Sequence, residues 1–129
     1  MMIVHYVAAA ALAEMHAGAM PRSAFSTPTS GGQEDHVSMG STATWNLVNS
    51  CNLLSQVLAC ELLIACEALE HRKAEPAKHV KALYNLVRKV SKPLTNDRST
   101  SKEIEQIANE LSNGGWLARI EAECGRLPR

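Results

Sequence analysis

The apolar positions of this chain fall into blocks at helical period, separated by breakers, and no run alternates as a strand would. Residues 2–20 are Ala-rich and free of proline until Pro21, a composition with high helix propensity. Ile3, Val4, Tyr6, Val7, Leu12 and Met15, with the alanines between them, leave that helix almost no polar face, so it is expected to be buried in a larger assembly. From Thr42 to Arg72 there is neither proline nor glycine, which allows one helix of about 45 Å. Along it Leu47, Cys51, Leu54, Leu58, Leu62, Ala65 and Leu69 form a stripe that predicts a bundle seam. Pro76 fits the first turn of a third helix to about Val90, with Val80, Leu83, Tyr84 and Val87 on one face and Lys78, Lys81, Arg88, Lys89 and Lys92 on a solvated one. Thr100-Ser101-Lys102-Glu103 has the form of a capping box opening a fourth helix, whose apolar face is Ile104, Ile107, Ala108 and Leu111. Gly114-Gly115 closes it, and Trp116 to Cys124 adds a last turn or two. The expected fold class is all-α, a bundle of long helices.

Between the first two helices, Ser23 to Gly40 reads as an extended connection broken by Pro28, Gly31, Gly32 and Gly40. Loops of that length without regular structure are usually functional or disordered. This one carries Gln33-Glu34-Asp35-His36, the densest polar chemistry in the chain. Three roles are open to it from the residues alone. Asp35 or Ser38 could cap the following helix while the others are solvated. Glu34 and His36 could ligate a metal, although spacing places no second pair of ligands. Or the loop could deliver an acid or base, with hydrogen-bonding neighbours, to a site built elsewhere.

Composition narrows the function classes. A length of 129 residues is that of one small domain, and 13 Lys+Arg against 13 Asp+Glu give a formal net charge of +0. That balance argues against nucleic-acid binding, or membrane attachment, through bulk charge. With 46% hydrophobic and 4% aromatic residues the chain is globular and helix-favouring. Ile3 to Leu12 is shorter than the ~20 apolar residues a bilayer span needs, and the missing Lys or Arg before Arg22 argues against a secretory signal. Cys51, Cys60 and Cys66, if on one helix, lie about 13 and 9 Å apart, beyond the roughly 7 Å a disulfide allows. At most one bridge, to Cys124, could form. Reduced thiols in a cytoplasmic protein are expected, with Cys60 and Cys66 as small core residues.

The loop carries a resemblance. Ser26-Thr27-Pro28-Thr29-Ser30-Gly31-Gly32-Gln33-Glu34-Asp35-His36-Val37-Ser38-Met39-Gly40 resembles the signature loop of the aromatic amino acid ammonia-lyases, and Gln33 to Gly40 is its histidine ammonia-lyase form. Met2 to Ala9 is similar to the buried helix before that loop in the family, Leu58 to Arg72 to its long core helix, and Pro93-Leu94-Thr95-Asn96-Asp97-Arg98 to the segment before its terminal helices. The resemblance divides the chain into a buried helix at 1–20, an active-site loop at 21–41, and the long helix with terminal helices at 42–129.

Such a family implies a homotetramer with active sites shared between subunits, and elimination of ammonia from L-histidine to give urocanate. It implies an electrophilic methylidene-imidazolone (MIO) made from an Ala-Ser-Gly tripeptide, and a tyrosine base from another segment. Glu34 takes the place of the glutamate that contacts substrate, and Gln33 that of its polar neighbour near the prosthetic group. Phenylalanine-type members usually have Gln at the position of Glu34, so a carboxylate here fits an imidazole-bearing substrate. The chain departs from the family in two places. Gly31-Gly32 stands where Ala-Asn is usual, which keeps a phenylalanine/tyrosine ammonia-lyase or an aminomutase as alternatives, and no Ala-Ser-Gly occurs among the 129 residues. The resemblance starts at Met1 inside what the family uses as a core helix. The chain is therefore expected to be a C-terminal fragment of such a carbon–nitrogen lyase, inactive alone, whose partners are other helical subunits or copies of itself. The other alternative is a non-catalytic helical interaction module.

Overall fold

A computed structural model describes residues 1–127. Five helices follow one another: α1 Met2–Gly18, α2 Gly40–Glu70, α3 Lys78–Val90, α4 Ser101–Ser112 and α5 Gly115–Cys124. Short 3-10 turns at Arg22–Phe25 and Ser30–Gly32 lie in the first connection, and no strand occurs among the described residues. The chain is all-α, as its periodicity predicts.

The breakers set the limits of the elements. Pro21 disfavours helical backbone at the residue before it, and α1 stops at Gly18. One carbonyl freed at that end is taken up by the long helix, where Asn46 Nδ2 donates to Gly18 O at 3.1 Å. Gly114 turns the chain between α4 and α5 in the left-handed region, at φ 67°, where a side chain would strain the backbone.

The core gathers around the C-terminal half of α2. Ala59, Cys60, Leu63 and Cys66 pack with Val4 of α1, Val87 of α3, Ile104, Ile107 and Ala108 of α4 and Trp116 of α5. The α4 face matches the one predicted, and Cys60 and Cys66 are buried core residues. Burial pushes both thiols up from their ordinary value, and at Cys66 the Arg88 charge offsets part of this. All four cysteines are free, and the two buried ones are held protonated and unreactive.

Three expectations are corrected. The Leu47 to Leu69 stripe is not this chain's seam over its full length: Leu47, Cys51, Leu54, Leu58 and Ala65 are exposed, whereas Leu62 packs against the core. Two apolar faces share the period of α2, and the helix buries the one on which Ala59, Cys60 and Cys66 surround a single large residue, Leu63, so that α1 and α4 can pack upon it. The α3 basic face is likewise not wholly solvated. Arg88 turns inward, its side chain 10% exposed, to meet Glu67, which is 14% exposed. Finally, the capping box does not form: Thr100 makes no side-chain cap bond, and the Glu103 carboxylate goes to Ser91 and Arg98 instead. Within this chain α1 buries Val4 and Ala11, and the wider burial expected of it belongs to a larger assembly.

The inward charges form a network. Arg88 Nη1 donates to Glu67 Oε1 at 2.7 Å and Arg88 Nε to Glu70 Oε1 at 3.0 Å. The Tyr84 hydroxyl also donates to Glu70, and the Arg88 guanidinium lies 5.3 Å from the centre of the Tyr84 ring. Glu67 Oε2 accepts from the Leu94 amide at 3.3 Å. Beyond it, Ser91 Oγ donates to Glu103 Oε2 at 2.6 Å and Arg98 Nε to Glu103 Oε1 at 3.1 Å. Removing one member of a largely buried pair leaves the other charge uncompensated. Arg88→Met is therefore expected to lower stability by about 3 kcal/mol in urea unfolding, and adding Glu67→Gln to recover part of that loss.

Titration probes the same contacts. The Tyr84 hydroxyl, with Arg88, holds the Glu70 carboxyl below its ordinary value of 4.5 against a smaller opposing effect of burial. A carboxyl lowered in the folded state stabilises it above 4.5, and the contribution is lost as pH falls through the lower folded value. The Tyr84 phenol is held above 10.0, chiefly by Glu70, so its contribution is present below that pH and lost above it. Urea midpoints measured against pH should fall below 4.5, and Glu70→Gln should flatten that acid limb.

Candidate functional site

The loop between α1 and α2 is a closed finger rather than the open connection its composition suggests. Its neck is a clip across eleven residues, the Val37 amide donating to Ser26 Oγ at 2.9 Å. Further out, Thr29 and Glu34 pair as an isolated antiparallel bridge, with Thr29 N to Glu34 O at 3.0 Å and Glu34 N to Thr29 O at 3.4 Å. Thr29 O also accepts from Gly32 N at 3.0 Å. The chain reverses through Ser30, Gly31 and Gly32 at φ 54°, 68° and 88°. Three successive left-handed residues are tolerable because two are glycine. A Cβ on either glycine would meet nothing within 4 Å, so backbone conformation and not space is what calls for glycine there.

The rung organises the side chains. Thr29 Oγ1 donates to Glu34 Oε2 at 3.1 Å, and Gln33 stands next to Glu34 on the exposed turn. Asp35 and His36 follow, also exposed. Asp35 does not cap α2. That helix begins at Gly40, its N-cap Met39 makes no side-chain bond, and the Gly40 amide donates a long hydrogen bond to Ser38 Oγ at 3.4 Å. Nor do Glu34 and His36 belong to a metal cluster: among the described residues no three His, Cys, Asp or Glu side chains come together to hold an ion.

Gln33 and Glu34 stand side by side and exposed, and among the described residues no wall closes over them. A cleft of about 580 Å³ lies elsewhere, between the start of α1 and residues 94–104. Chemically the finger offers a carboxylate with one oxygen engaged by a hydroxyl, and beside it an amide that can donate and accept. The residue sequence reasoning missed is Thr29. Its signal was present: a β-favouring Thr and a Glu flanking Ser-Gly-Gly-Gln are the ingredients of a tight reversal.

Residues 1–89 match the family model described as aromatic amino acid lyase. The histidine ammonia-lyase of Gloeobacter violaceus is 39% identical over 127 residues, covering 98% of this chain and 25% of that relative. The histidine ammonia-lyase of Symbiobacterium thermophilum is 40% identical over 128 residues, with the same coverage of 98% and 25%. The crystal structure of histidine ammonia-lyase from Trypanosoma cruzi superposes with a TM-score of 0.85 at 32% identity, covering 95% of this chain and 24% of that one. The chain thus spans about a quarter of the length of these relatives. With a family match over more than half its residues and a helical fold shared with a solved member, this chain belongs to the aromatic amino acid lyase family.

Proposed function

We propose that this chain forms part of a histidine ammonia-lyase-like enzyme, which eliminates ammonia from L-histidine to give urocanate, and that it supplies the substrate-facing Glu34 and its neighbour Gln33. The observation that carries this is the Glu34 carboxylate on a pinned finger, one oxygen bound to Thr29, in a chain about 40% identical to histidine ammonia-lyases. The open oxygen can accept an imidazole N–H, and a carboxylate facing an imidazole can share its charge or proton. Gln33 adds a donor and an acceptor that orient the ligand.

The residues present do not provide the family's prosthetic group, since the 129 residues contain no Ala-Ser-Gly from which MIO would form. The polypeptide alone is proposed to be inactive. Incubated with histidine, the purified chain should give no rise in urocanate absorbance over a no-enzyme control. Grafted in place of the matching quarter of the Gloeobacter violaceus enzyme, it should support urocanate formation in preference to cinnamate from phenylalanine. Preference for phenylalanine would overturn the substrate assignment.

The uncovered apolar surface supports association with other helical subunits or with copies of itself. Trp45 and Ile3 are each 76% exposed, and Tyr6, Leu47, Leu54 and Leu58 join them on the outer faces of α1 and α2. α2 is even long and apolar enough to cross a membrane by length and composition, which we take as the mark of a helix covered on several sides in an assembly. The four free thiols suit a reducing compartment such as the cytoplasm. Light scattering after size exclusion should give a mass above 14.0 kDa, and a well-behaved monomer would contradict this part of the proposal.

A further inference from the structure

We infer that Thr29 is a positioning residue for Glu34, its hydroxyl holding one carboxylate oxygen so that the other is left for the substrate's imidazole N–H. This rests on the proposal that Glu34 faces substrate. Four features place the two side chains together. The backbone bonds between Thr29 and Glu34 run in both directions, so the residues are directly opposite and their side chains share one face. The left-handed run at Ser30, Gly31 and Gly32 sets the register, and a slip of one residue would put Glu34 on the other face. The Ser26–Val37 clip closes the neck below them. Thr29 is also β-branched and stiff at χ1, so its backbone aims the Oγ1 donor that reaches Glu34 Oε2 at 3.1 Å.

The chemistry needs such a tie. A glutamate turns freely about its last side-chain bond, and a carboxylate that spins presents no fixed acceptor to a planar ring. Engaging Oε2 fixes the carboxylate plane and directs Oε1 outward, so that the charge-assisted bond to substrate forms without first ordering the acceptor. Valine at 29 would keep the branched shape and lose the donor. Serine would keep the donor.

The test uses the same grafted enzyme with Thr29→Val, Thr29→Ser and Glu34→Gln. Losing a hydrogen bond to a charged group should raise KM for histidine about tenfold in Thr29→Val, leave kcat within the same order, and be rescued in Thr29→Ser. In the Glu34→Gln background, Thr29→Val should add little, since the two act as one unit. A fall in kcat at constant KM that serine does not rescue would mark a structural role and overturn the proposal. If Glu34→Gln itself leaves histidine kinetics unchanged, the assignment of Glu34 fails. If Glu34→Gln impairs turnover while Thr29→Val does not, Thr29 alone is refuted. The unaltered 129-residue chain gives a second measurement that requires no activity. Scalar couplings should show one Thr29 χ1 rotamer, with Glu34→Ala changing its hydroxyl environment, whereas a Thr29 side chain averaging over rotamers in the unaltered chain would overturn the proposal.

Discussion

A guanidinium placed in a crevice between two helices has to be met on nearly every side, and Arg88 imposes that condition on the second half of this chain. Glu67 and Glu70 approach it from α2, and the carbonyl of Ser91 from the end of its own helix. The consequences run outward from there. Glu67, held by Arg88, uses its second oxygen to fix the Leu94 amide. Ser91, fully buried at the point where α3 stops, hands its hydroxyl to Glu103. Glu103 then gathers Arg98, whose Nη2 reaches back to the Lys92 carbonyl at 2.6 Å. The segment 91–100 has no helix or strand of its own, so these polar contacts determine where α4 starts and which face it turns to the core. Arg88 Nη2 is left without a partner among the described residues, a sign that even this set of acceptors does not saturate the group.

The second constraint is volume. At Ala59, Cys60, Leu63 and Cys66 the long helix offers mostly small side chains to its own chain, and α1 and α4 lie close upon it. Several of its large apolar residues, Trp45 and Leu47 among them, face away. α2 is thus apolar in two directions, and only one of them is used by the residues at hand. α1 repeats the arrangement, with Val4 and Ala11 inward and Ile3 and Tyr6 outward. An isolated domain of this size would keep such surface small, because contiguous exposed apolar area usually marks an interface.

These two constraints explain what could be read in advance. Some helix limits follow from local chemistry, so Pro21 and Gly114 marked theirs, although Pro76, expected in the first turn of α3, stands two residues ahead of it; the amphipathic α4 showed its inward face because it has only one. The face of α2 was not legible, since periodicity finds apolar stripes without saying which of two is matched by neighbours. The capping box failed for a related reason. Thr100 and Glu103 stand at the right spacing, but Glu103 has stronger partners in Ser91 and Arg98, and tertiary hydrogen bonds to a charged group outweigh a local one. At the finger, the polar run from Gln33 to His36 stood out by composition, whereas Thr29 did not, because its role depends on a rung five residues long that no helical period reveals.

The Gly31-Gly32 pair acquires a physical meaning from that rung. Both residues adopt positive φ, where alanine is strained and asparagine is tolerated. Glycine at both therefore relaxes the reversal and leaves no side chain beside Gln33 on that side. On the proposal that the finger faces substrate, recognition has no side chain to draw on at these two positions. Discrimination then falls on the carboxylate of Glu34, and on how firmly it is held. A more permissive backbone would let the finger move, yet Glu34 is itself paired to Thr29 and the Ser26–Val37 clip closes the neck behind that pair, so the acidic residue is restrained where the glycines are not. The flexible positions are thereby confined to the turn, and the group that would read an imidazole sits on its fixed side.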